Sequence, residues 1–158
     1  MNNAPPIKQL DSAQHVYLRE LSEPKDNSLK LVVEEAVVNR SGVVHAGFPE
    51  INHLLKNASP IEPVQGCATF EVYWKHYAAY LVTEELVGSN AKDGYDDECY
   101  TGKLLRVYSK SHFLDHMARD TGGHVEALQH YKLVCLNHLI DVAAYAPPEV
   151  RNLTQGGQ

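Results

Sequence analysis

The chain has 158 residues, 44% hydrophobic and 22% charged, with 14 basic against 20 acidic side chains and a net charge of −6. A single domain of this size hides about 70% of its unfolded surface, so disorder, collagen, coiled coil and a disulfide scaffold are excluded as whole-chain descriptions. Negative charge without a Lys/Arg cluster argues against a nucleic-acid partner, and no run approaches the roughly eighteen apolar residues of a membrane span.

In chain order, residues 1–13 are polar and proline-bearing and read as a flexible arm, residues 14–150 as one globular domain and 151–158 as a flexible tail. His15 to Leu21 is a strand ended by the turn formers Glu23-Pro24-Lys25-Asp26-Asn27-Ser28. Residues 29–38 match a helix template at 29, 32, 33, 36 and 37, but four valines stiff at χ1 favour a strand. Between Asn39 and Pro63 glycines and prolines break the pattern, leaving connections, one short strand and a short amphipathic piece around Ile51 to Leu55. Phe70, Val72 and Trp74 alternate with Glu71, Tyr73 and Lys75, the period of a half-buried strand. Tyr77 to Glu84 follows at once, which predicts a hairpin turning near Lys75-His76.

Gly88 to Gly102 reads as a polar loop and Leu104 to Tyr108 as a strand. Ser111 is the expected N-cap of a helix near 111–120, closed by Thr121-Gly122-Gly123. His130 to Ala144 is a buried strand or a tight hairpin around Asn137-His138. The fold class that results is mainly β (α+β): an antiparallel sandwich or partly open barrel of six or seven strands with one covering helix.

Cys67, Cys99 and Cys135 are too few and too widely spaced for a disulfide framework or a Cys-x-x-Cys site. With no basic region and apolar run at the N-terminus, a reducing cytoplasm is the expected home.

Three stretches, Phe70 to Val82 with Tyr77-x-x-Tyr80-x-Val82, Tyr108-Ser109-Lys110-Ser111-His112-Phe113-Leu114-Asp115, and His130-Tyr131-Lys132-Leu133-Val134-Cys135-Leu136-Asn137-His138-Leu139-Ile140-Asp141-Val142, together resemble a group of small uncharacterised bacterial proteins. Where that group carries Val-Arg-Asn-Glu after the paired tyrosines, this chain has Val82-Thr83-Glu84-Glu85. The resemblance implies a bacterial cytoplasmic protein and carries over no catalytic residue.

Several residues could carry chemistry. His112 and His116 lie i, i+4 with Asp115 beside them, the spacing of two imidazoles on one divalent metal, and His124, His130 or His138 could complete the set. A solvated helix face is the ordinary alternative. His138 can be a general base oriented by Asp141, or a core-edge histidine. Cys135 can be a nucleophile served by His130 or His138, or an inert small hydrophobe. Glu71 and Glu84 could pair across the expected hairpin. Asp93, Asp96, Asp97 and Glu98, with Tyr95 and Tyr100 at the shoulders, make an acidic loop suited to a basic protein surface, without the spacing of a calcium loop. Tyr73, Tyr77 and Tyr80 bunch near Trp74 as a binding platform, a homodimer interface or cross-strand packing. Phosphate-binding glycine loops and the Gly-x-Ser-x-Gly elbow are absent.

These readings favour a non-enzymatic cytoplasmic protein-binding module of the immunity or accessory type, without a cofactor. The alternative is a small metal-dependent hydrolase built on His112, His116 and His138, and a weaker third is a small-molecule pocket within the curled sheet.

Overall fold

The computed structural model describes residues 4–42, 44, 55, 58–88 and 97–154. Among the described residues ten strands form two antiparallel sheets: β1 (His15–Ser22), β2 (Leu29–Val38), β3 (Ile61–Glu62), β4 (Thr69–Trp74) and β10 (Glu149–Asn152) in the first, β5 (Tyr77–Glu84), β6 (Cys99–Thr101), β7 (Leu105–Lys110), β8 (Gln129–Val134) and β9 (His138–Ala144) in the second. The first runs β1-β2-β4-β10 with β3 on β2, the second β5-β9-β8-β7-β6. Among the described residues three short helices accompany them: α1 (Pro6–Ser12), α2 (Glu85–Gly88) and α3 (His112–Asp120).

Alternation decides which side of each sheet is dry. Leu29, Leu31 and Val33 stand opposite Trp74, Val72 and Phe70, and all six are buried. In the second sheet Leu105 faces Leu133, Leu133 faces Ile140 and Tyr131 faces Val142. These two inner faces share one core, with Trp74 and Tyr131 in ring contact at 5.9 Å. No closed barrel forms among the described residues, and the arrangement is sandwich-like.

Four expectations change. Among the described residues the six or seven strands become ten: the short strand expected between Asn39 and Pro63 is β3, the 130–144 run is two strands, and β6 and β10, three and four residues long, are too short to show a period. Lys75-His76 is not a hairpin turn: β4 pairs β2 and β10 while β5 pairs β9, so this link crosses between sheets, and Glu71 and Glu84 do not face each other. The N-terminal segment is no arm over its helical part. Pro6 opens α1, Leu10 is fully buried in the core, and the Asp11 carboxylate accepts the N–H groups of Lys103, Leu104 and Leu105. Gly102 makes that docking turn possible, since its φ is +89° and a Cβ there would collide with the Leu105 carbonyl. Lastly, Arg151 and Asn152, expected in the tail, pair with β4.

Residues 29–38 are a strand, and the 130–144 run is the hairpin, turning at Cys135-Leu136-Asn137. That turn reaches the other sheet. Leu136 N–H donates to the Val16 carbonyl at 2.8 Å, and the Asn137 amide bonds both backbone groups of Leu18. The amphipathic piece around Ile51 falls outside the described residues apart from Leu55.

Candidate functional site: a buried relay and an open sheet edge

Helix α3 links β7 to β8 and covers the outer face of the second sheet. Its N-cap is Ser111, whose Oγ accepts the Leu114 N–H at 3.1 Å. The same Oγ lies 2.8 Å from His130 Nδ1, and His130 Nε2 lies 2.8 Å from Asp141 Oδ1. Strand register explains the meeting: His130 faces Ala143 and Lys132 faces Asp141, so His130 and Asp141 are diagonal neighbours on the sheet's outer face. Tyr108 stacks on the His130 ring at 4.1 Å and Phe113 closes over it at 5.2 Å. One proton arrangement satisfies every group. Leu114 N–H donates to Ser111 Oγ, Ser111 O–H to His130 Nδ1, and His130 Nε2–H to Asp141. The carboxylate also takes Lys132 Nζ at 3.1 Å. Burial, the largest influence on Lys132, pushes its ammonium down, but Asp141 and the other neighbours outweigh it and the net direction is up.

The connectivity is that of a serine–histidine–carboxylate relay, yet its surroundings suit anchoring rather than attack. Nucleophilic serine chemistry needs access to a substrate and free donors for the oxyanion. Ser111 is 6% exposed, its oxygen already accepts a backbone N–H, and the N–H of His112 is taken by Glu98 Oε1 at 2.8 Å. The relay ties the start of α3 to the middle of the sheet.

The end of the acidic loop folds back on this helix. Asp97 pairs with Lys110 and lies 2.6 Å from His112 Nε2. The Lys110 hydrogen bond, then that of His112, holds the Asp97 carboxyl below its ordinary range. His116 turns to Asp120 at 3.5 Å, so the two helix histidines are spent on different carboxylates. Among the described residues no three metal-ligating side chains converge. Asp93, Tyr95 and Asp96 lie outside the described residues.

The tyrosines are divided between sheets. Tyr73 stands on the outer side of β4, beside an open cleft of about 390 Å³ lined also by Lys75, His76, Tyr145, Pro147 and Glu149. Tyr77 and Tyr80 pack edge to face at 5.0 Å and both donate to Glu23 Oε1, at 2.7 and 3.0 Å. The carboxylate bond is the main reason the Tyr77 phenol is pushed up to about 12. His138 begins β9 with its Nδ1 buried and without a hydrogen-bond partner among the described residues, while Asp141, three positions on, points to the other face. Burial pushes the Cys135 thiol up to about 12, which makes it a packed hydrophobe and not a nucleophile.

No family model, curated protein or solved structure matches the chain.

One surface remains unlike the rest. A sheet edge exposes unpaired backbone groups, and proteins shield such edges with short strands, charges, bulges, prolines or covering loops. Edge β6 has three residues. Edge β10 has four, follows Pro147-Pro148 and carries Glu149 and Arg151. Edge β1 has a register shift at Leu18/Glu20, carries Arg19 and Glu20, and is covered by the Leu136-Asn137 turn. Edge β5 has eight residues; its register shift lies at Tyr77/Ala79 and its Tyr77 N–H donates to the Asn27 carbonyl at 2.8 Å, but from Ala79 to Thr83 it carries no charge or proline and has no neighbour other than β9 among the described residues. Leu81 is 50% and Val82 39% exposed, and Leu86 and Val87 of α2 continue the patch at 67% and 69%. Leu81 faces Asp141 and Val82 faces Ile140, so the edge presents apolar side chains on both faces of the sheet. The sequence supplied every one of these residues, but that β5 is an edge follows only from its pairing.

Proposed function

We propose that this chain is a non-enzymatic protein-binding module, a β-sandwich with a helical cover, whose docking surface is the β5 edge and the turn of α2. The supporting observation is that edge: no charge from Tyr77 through Thr83, Leu81 and Val82 exposed, and beyond the Tyr77 N–H, which donates to the Asn27 carbonyl at 2.8 Å, no strand beside it other than β9 among the described residues. Such an edge accepts an extended segment by strand addition, main-chain hydrogen bonds giving affinity and alternate side chains giving specificity. The acidic loop is a secondary feature in this reading, because Asp97 and Glu98 are bonded to Lys110 and His112. The commitment of His112 and His116 to separate carboxylates weighs against the metal-dependent hydrolase.

The test is affinity capture from bacterial extract with the wild type and with Leu81→Lys/Val82→Lys, alongside a differently tagged second copy as a defined prey. A bound species present with the wild type and lost with the edge variant is expected. Identical capture by both proteins would refute the reading.

A further inference from the structure

Resting on that reading, we infer that the partner strand at the β5 edge is β5 of a second copy, paired antiparallel about a two-fold axis near Tyr80-Leu81. The argument is charge complementarity along the strand. Lys75 and His76 are exposed immediately before β5, and Glu84 and Glu85 lie at its end. Lys75, Glu84 and Glu85 make no ion pair among the described residues. Antiparallel self-pairing brings the basic start of one strand to the acidic end of the other, twice, because a two-fold interface repeats every contact. Parallel pairing would set Lys75 near Lys75 and Glu84 near Glu84, which costs rather than gains.

Size follows the same logic. Ala78 and Ala79 fill the first half of the strand and Leu81 and Val82 the second, so an antiparallel pair sets small side chains against large ones. The register shift between Tyr77 and Ala79 leaves Ala79 to Glu84 as the regular ladder, a span of about 20 Å at roughly 3.3 Å per residue. Joined this way, two five-strand sheets become one continuous sheet, with Leu81 and Val82 at its centre and α2 of each copy at its flanks. Burying the exposed Leu81, Val82, Leu86 and Val87 of both copies supplies the apolar part of the contact.

Sedimentation velocity on the pure protein across about 1 to 300 μM is the experiment. The wild type is expected to dimerise. Glu84→Lys/Glu85→Lys and Lys75→Glu are each expected to weaken the dimer by about tenfold or more, since each sets like charges together at both ends of the pair. Mixing these two variants restores opposite charges at both ends and is expected to restore the dimer. All the substituted side chains sit at the surface or the sheet edge, and matching circular dichroism melts establish that the variants fold. A wild type that stays monomeric, or a dimer indifferent to the charge exchanges and to Leu81→Lys, would overturn self-pairing. If the protein is monomeric while the edge variant still loses a different captured protein, only the identity of the partner fails. If the edge variant changes neither result, the binding-module reading fails with it.

Discussion

Replacing Ser111 with alanine removes one oxygen that holds two other groups. Its Oγ accepts the Leu114 N–H at 3.1 Å and lies 2.8 Å from His130 Nδ1. Losing an N-cap costs about 1 kcal/mol. His130 is 1% exposed, so its Nδ1 would be left buried and unpaired at a further cost of about 1–3 kcal/mol. The expected total is about 2–4 kcal/mol, and at this chain length each kcal/mol moves the melting temperature by about 2–4 °C. Urea unfolding followed by circular dichroism measures it, provided the m-value is unchanged. Ser111→Gly separates the two contributions. Glycine caps nearly as well as serine, so this variant retains most of the cap while orphaning His130, and about 1–3 kcal/mol should still be lost. Ser111→Thr keeps the hydroxyl and should lie closest to the wild type. A loss under about 0.5 kcal/mol for Ser111→Ala, or equal stability of the glycine and threonine variants, would refute the role given to the relay.

Leu10→Ala should cost about 2–5 kcal/mol by the same unfolding assay, because Leu10 is fully buried. An effect of a few tenths would return residues 6–12 to the status of a loose arm. Asp97→Asn tests the acidic segment by pH. The Asp97 carboxyl is held below its ordinary 3.8, so its contribution is complete above 3.8 and disappears as pH falls through the lowered value. Lys110 is raised above 10.5 by the same contact, so its share disappears as pH climbs through the raised value. The melting temperatures of wild type and Asp97→Asn should therefore differ at neutral pH and converge at both extremes. A difference that persists in strong acid would contradict the assignment.

Two classes of information separate cleanly in this molecule. Period-two alternation, stiff β-branched side chains and capping chemistry are local, so β1, β2, β4, the β character of residues 130–144 and α3 with its Ser111 cap were legible in the residues themselves, while the choice between one strand and a hairpin at 130–144 was not. Short strands carry too few alternations to register, which hid β6 and β10. The buried relay was invisible for another reason. Ser111, His130 and Asp141 are each noticeable alone, but their meeting depends on the β8–β9 register and on how α3 lies across the sheet. The link at Lys75-His76 shows the same divide. Its residues permit a hairpin, and only the pairing of β4 with β2 and of β5 with β9 sends the chain into the second sheet. That choice also leaves β5 at an edge. The sequence by itself determined a β-rich chain with an apolar, charge-free strand between a basic and an acidic end. Whether that strand would be covered or open was decided by tertiary structure, because strand neighbours are set by contacts between residues far apart in the chain.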